Sequence, residues 1–206
     1  MTRLLSIISL VGIAVFILVI LVLHFLPTSV NPMVAGISFY ALTRFGVLLS
    51  LGIILVSVSG IALGLALWPV TTAVAGRIGL LLLLAWGLTS ILAGLFPVDA
   101  PGANPTFSGR IHNLAGMNFL LITPAVLCIE LSQAAGGKPR KLTFWLAWLL
   151  LAAAVFLFVF NGPLYAMQIG GLVQRLYWLV LAVWLICKSW QALHMEKAHS
   201  ASYGPT

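Results

Sequence analysis

The chain has 206 residues, of which 62% are hydrophobic and only 6% charged, whereas a soluble domain carries roughly 25% charged residues. With a mean hydropathy of +1.17, so much apolar surface cannot be hidden in a water-soluble fold of this length, and the chain reads as an integral membrane protein. Its net charge of +7 would suit nucleic acid, but the 10 Lys and Arg residues stand mostly singly between apolar runs and read as topology signals rather than a phosphate-binding patch.

A bilayer core of about 30 Å needs about 20 apolar residues in a helix, and six stretches meet that test. The first covers residues 4–26. It follows Met1-Thr2-Arg3 as a signal peptide would, but its apolar core exceeds the usual length of about 7–15 residues, and no small-x-small cleavage site precedes Pro27. It is therefore taken as a span. The second, 45–68, carries Gly60 and Gly64 at the spacing of close helix contacts. The third, 78–96, contains the unbroken leucine run 80–84. The fourth, 111–131, has Gly116 beside Ala115 as a further small-residue contact, and Pro124, which removes a backbone hydrogen bond, is expected to bend it. The fifth covers 142–160 and the sixth 171–193. Cys128 and Cys187, in the fourth and sixth spans, read as small buried hydrophobes, and two cysteines exclude a disulfide scaffold.

These runs are apolar all round, without the alternation of a membrane barrel. The expected fold is all-α, an integral membrane bundle of six transmembrane helices arranged as three helical hairpins. A single domain, 1–193, precedes a short cytoplasmic tail, 194–206, in which His194, Glu196 and His199 read as solvated. With the N-terminus inside, Arg3, Arg77, Lys138, Arg140, Lys141, Lys188 and Lys197 fall on the cytoplasmic side, against Arg44, Arg110 and Arg175 outside. Retention of cations on the inner side then puts the chain in the plasma membrane with both termini cytoplasmic. Tyr40, Tyr165 and Tyr177 are placed at the outer boundary as interfacial anchors, and Trp68, Trp145 and Trp190 at the inner one.

The outer loops share a pattern. Each opens with a proline (Leu26-Pro27, Phe96-Pro97, Gly162-Pro163), and each returning helix begins near an arginine: Arg44, Arg110 or Arg175. The near-equal spacing of the arginines suits three similar hairpins, whether they arose by duplication or simply by short loops.

Ionisable groups at membrane depth are functional suspects, and here they gather at the outer helix ends: His24, Arg44, Asp99, Arg110, His112 and Arg175. The imidazole of His24, embedded in Leu21-Val22-Leu23-His24-Phe25-Leu26, needs a partner. Arg175 is expected to face the bundle and pair with Asp99 or a bound anion. The preferred function is an outward-facing polar pocket for an anionic lipid headgroup or small polar ligand, with the three arginines gripping phosphate through forked hydrogen bonds. The alternative is a metal-dependent membrane hydrolase with zinc on His24, Asp99 and His112. Haem on His24 and His112 ranks behind both, and the preferred reading assigns no cofactor. Membrane lipids are the expected partners, with room for a membrane-protein partner and none for nucleic acid.

The series His24-Phe25-Leu26-Pro27, Ile37-Ser38-Phe39-Tyr40, Phe96-Pro97-Val98-Asp99, Gly109-Arg110-Ile111-His112 and Gln174-Arg175 resembles a prokaryotic six-span membrane family catalogued as domain of unknown function 998. The resemblance runs from about Leu4 to His194. It implies a six-helix fold and a polar signature of His24, Asp99, His112 and Arg175, and it supplies no activity. Ceramidase-like hydrolases, with three zinc histidines on seven spans, and membrane cytochromes with two paired-histidine haem sites are poorer fits. This chain offers two outward histidines.

Overall fold

The computed structural model describes the backbone of residues 1–137 and 140–201 and the side chains among them other than those of 161, 162, 165 and 196–201. Lys138 and Lys197 of the inner charge set, Tyr165 of the outer anchors, and Glu196 and His199 of the tail lie outside the described side chains.

The elements are helical throughout: α1 (Thr2–Phe25), α2 (Gly46–Leu67), α3 (Val74–Leu95), α4 (Phe107–Gly116), α5 (Phe119–Ala135), α6 (Lys141–Val159), α7 (Asn161–Ala166) and α8 (Gly170–Ala201). A short 3-10 helix, Ile37–Leu42, precedes α2. Six spans are long and apolar enough to cross a membrane, with α4 and α5 together forming the fourth. Each packs on the next in chain order, and α8 closes the ring against α1. The short connections from α2 to α3 and from α5 to α6 leave those helices antiparallel and adjacent. α8 is one continuous helix across the expected boundary between last span and tail.

The core runs through the middle of the ring. Phe16 of α1, Trp86 of α3 and Tyr177 and Trp184 of α8 are its large buried members, and Trp178 of α8 packs its ring on those of Phe16 and Trp86. Small residues bring the backbones together where expected on α2. A Cβ at Gly60 would strike the Trp86 indole, and one at Gly64 would press on Leu84. Gly116 is different: nothing stands within 4 Å of a side chain placed there, so it borders open space rather than a helix contact.

Four expectations change. The fourth span does not simply bend at Pro124, which lies inside α5. It breaks at Met117–Asn118, where the amides tighten into shorter bonds (Asn118 to the Ala115 carbonyl, 3.1 Å; Leu120 to the Met117 carbonyl, 3.0 Å). Tyr40 and Tyr177 are not interfacial anchors; both are buried in the bundle. Lys188 is not a free inner charge, since it is buried against Glu130 at 2.6 Å. Cys128 and Cys187 are free thiols, half-buried rather than enclosed.

Candidate functional site

The N-terminal end of α8 grips the connection between α1 and α2. The Gly171 and Leu172 amides donate to the Val34 and Met33 carbonyls, both at 3.0 Å, using helix N-terminal groups that have no partner within the helix. Gly171 is required there, because a Cβ would run into the Ala35 carbonyl oxygen. One turn on, the Arg175 Nη1 donates to the carbonyls of Pro32 (2.7 Å), Ala35 (2.8 Å) and Gly171 (2.9 Å). Its Nε donates to His24 Nε2 at 2.9 Å. Since His24 Nε2 must accept, the ring proton sits on Nδ1, which donates to the Ile20 carbonyl at 2.6 Å. Beside them the Gln174 Oε1 accepts the Ile37 amide at 2.8 Å, and the guanidinium lies 5.7 Å from the centroid of the Tyr40 ring. Arg175 Nη2 is buried without a hydrogen-bond acceptor. Histidine and arginine therefore meet, as a clamp that holds a loop.

His112 and Asp99 serve the next hairpin. α3 ends at Leu95 before Pro97, leaving carbonyls without helical partners. The His112 Nδ1–H is shared between those of Phe96 (2.8 Å) and Ala93 (3.0 Å). Ser108 donates to the Pro97 carbonyl at 2.9 Å. Asp99 takes both groups of Thr106, the hydroxyl at 2.6 Å and the amide at 2.9 Å, while Thr106 Oγ1 caps α4 by accepting the Gly109 amide at 3.0 Å. Gly109 leaves room for this, because a Cβ would overlap the Asp99 carboxylate.

The Thr106 hydroxyl, and next its amide, hold the Asp99 carboxyl below its ordinary value of 3.8; slight burial opposes them, and the charge of Arg110 adds to the lowering. A carboxyl depressed on folding adds stability that is fully present above its unfolded value. That stability is lost as pH falls through the lower folded value. The unfolding midpoint should therefore drop on acidification below about pH 4, and Asp99→Asn should remove that part of the pH dependence. A variant with the unchanged acid limb would show that the cap does not depend on the carboxylate.

Beneath these caps lies a cavity of about 410 Å³, bordered by every span and by the break between α4 and α5. Phe16, Ile53, Leu157 and Trp178 form apolar walls, and His112, Asn118, Ser90, Ser38, Gln174 and Tyr177 supply the polar positions. The α4–α5 break brings in Asn118, whose Nδ2 donates to Ser90 Oγ at 2.6 Å. Tyr177 shares its hydroxyl with Thr123 at 3.2 Å. With Nδ1 of His112 engaged, its Nε2 is left as an acceptor at the cavity. None of the described lining residues is Asp, Glu, Lys or Arg.

The sequence-selected residues thus divide among separate places. His24 and Arg175 meet in the clamp, Asp99 and Arg110 sit at the α4 cap, and His112 alone borders the cavity. Arg44 is exposed and stacks on Phe45, 4.7 Å from its centroid. The expected Arg175–Asp99 pair is replaced by Arg175–His24 and Asp99–Thr106. Among the described residues no three His, Cys, Asp or Glu side chains are grouped to hold a metal ion, so His24, Asp99 and His112 do not form the triad that the alternative reading required. Sequence reasoning overlooked Asn118, Ser90 and Gln174, whose amides and hydroxyls resemble ordinary helix polarity. It also overlooked Glu130, a carboxylate inside an apolar run.

The family model described as protein of unknown function (DUF998) matches residues 10–191, most of the chain, which therefore belongs to that family. Among curated proteins and among solved structures, nothing matches this chain.

Proposed function

We propose that this member of the DUF998 family is a plasma-membrane protein that binds a small polar ligand or lipid headgroup in the cavity beneath its outer loops, and that the bound head is uncharged. The observation that carries this reading is a hollow of about 410 Å³ with several polar residues and no charged one among its described lining. That size falls within the range of about 300–1,000 Å³ common for ligand pockets. An anion there would be desolvated without a cationic partner, at high cost, and Arg175 has turned Nη1 and Nε to the loop and to His24. A hydroxyl-bearing head suits the inventory better: His112 Nε2 and Asn118 Oδ1 accept, while Gln174 Nε2 and the Ser38 hydroxyl donate.

Ligand that binds the folded state raises the unfolding temperature. Octanoyl glycerol should stabilise the purified protein where octanoate and octyltrimethylammonium do not. Gly116→Trp, which projects into open space, should abolish that gain while preserving the fold. Equal stabilisation by the charged analogues would refute the uncharged-head reading.

The cavity is assigned to the outer side because Arg3, Arg77, Arg140 and Lys141 belong to the opposite end of the bundle. Cysteine placed at Asn104, in the exposed connection between α3 and α4, should react with an impermeant thiol reagent on intact cells. Reaction only after lysis would reverse the orientation.

A further inference from the structure

A second hollow, of about 240 Å³, lies between α5 and α6 and shares the side chains of Phe119 and Phe158 with the main cavity. We infer that the cavity opens sideways into the bilayer at these two rings, and that the groove takes one alkyl chain of the molecule whose head the cavity holds. The inference rests on the cavity reading above and adds to it a ligand class, a neutral-headed lipid, and a route of entry through the membrane.

Four features support a chain as the occupant. The two hollows have the Phe119 and Phe158 side chains in common, so a molecule spanning them would pass these two rings. α6 is the least enclosed span, with 22% of its apolar window buried, so the barrier between cavity and lipid is thin along it. Ala154, buried and small, leaves room on the α6 side, while Val155 and Phe158, 52% and 67% exposed, form its lipid-facing rim. Finally, Thr123, the one hydroxyl among the groove's described walls, is engaged with Tyr177. The groove therefore offers a polar head no free side-chain group, whereas it offers methylenes continuous apolar contact. Pro124 lies in the same wall. Its ring lacks an N–H and clashes with the carbonyl of the preceding turn, which displaces backbone where the groove is lined.

The whole chain in phosphatidylcholine nanodiscs would be titrated with radiolabelled hexadecanoyl glycerol and octanoyl glycerol. Amounts are expressed as mole fraction in the disc, so that partitioning into the bilayer does not enter. The long ester is expected to bind about tenfold more tightly, a difference of about 1.4 kcal/mol. Val155→Trp should erase that advantage, and Gly116→Trp should abolish binding of both. Equal binding of the two esters, unchanged in Val155→Trp, would overturn the groove and leave the cavity reading intact. Binding of the long ester that survives Gly116→Trp would mark surface lipid only and overturn the inference, as would failure of both esters to bind, which would remove the cavity reading with it. A hexadecanoyl glycerol carrying a photoreactive diazirine near its chain end provides a check on the unmodified protein. Its crosslinks should concentrate on Leu151 and Val155 and be suppressed by the unlabelled ester. Even labelling around all lipid-facing helices would count against the groove.

Discussion

Replacing Glu130 with leucine should destabilise the folded protein by about 3–5 kcal/mol, the range for stranding one member of a buried ion pair. Lys188 Nζ lies 2.6 Å from Glu130 Oε1, and both residues are buried. The same carboxylate also accepts Trp184 Nε1 (2.9 Å) and Thr143 Oγ1 (3.0 Å), and Lys188 donates to Gln133 Oε1 at 2.7 Å. Glu130→Leu strips the ammonium of its counter-charge and the indole of its acceptor in one step. Joining α5, α6 and α8, the network has most of its hydrogen-bonding capacity filled, which suits a structural tie. Replacing both members tests this. In Glu130→Gln with Lys188→Met no charge is left, and the new amide can still accept from Trp184 and pair with Thr143. The double variant should recover most of the loss, because removing a whole buried pair is often nearly neutral. Unfolding midpoints in mixed micelles would measure both. A single Glu130→Leu variant as stable as the parent would mean that the ammonium escapes to the interface and that the pair does not hold the bundle.

That network also marks what was legible in the sequence. The six spans follow from length and apolarity, since a bilayer leaves helices as the economical way to satisfy each backbone group. Glu130 and Lys188 both fall within the expected spans, 111–131 and 171–193, and ionisable groups at that depth ask for partners. Counting Lys188 as a topology charge concealed a pairing that the same rule would have suggested. At the loop ends, too, the polar side chains are partnered, but by groups other than those expected. His24 does have a partner and Arg175 does face inward, yet the groups that satisfy Arg175 are largely backbone carbonyls of the 32–35 loop. Carbonyls occur at every residue and leave no signature in a sequence. Asp99 likewise found the nearest donors, seven residues along the chain, before any distant arginine. The cavity was least legible of all. It depends on the break at Met117–Asn118, which follows a glycine, Gly116, that reads in the sequence as a helix contact, and which directs Asn118 to Ser90.

The corresponding test at the opposite end of α8 is Arg175→Leu, which should cost at least about 3 kcal/mol, counting only two of its charge-assisted hydrogen bonds at about 1.5 kcal/mol each. The substitution leaves the Pro32 and Ala35 carbonyls and His24 Nε2 without their donor. The amide bonds from Gly171 and Leu172 and the Gln174–Ile37 bond then hold the connection without the guanidinium. Limited proteolysis within residues 27–36 should therefore accelerate together with the fall in unfolding midpoint, a pairing that a general packing defect would not single out. Arg175→Lys separates charge from shape. An ammonium is a compact donor on a flexible stem and cannot serve the imidazole and the loop carbonyls from two arms of one plane, so it should restore part of the stability and leave the loop still vulnerable. His24→Phe keeps a ring beside Tyr40 but removes the acceptor for Nε. Combined with Arg175→Leu it should show a coupling of about 0.5–3 kcal/mol, as residues sharing one hydrogen-bond network do. Additive effects with an undisturbed loop would reduce Arg175 to an interfacial cation. Coupled effects would establish that the loop between α1 and α2, and with it the Ile37–Ser38 edge of the cavity, is held in place by a histidine–arginine contact bridging the first and last helices.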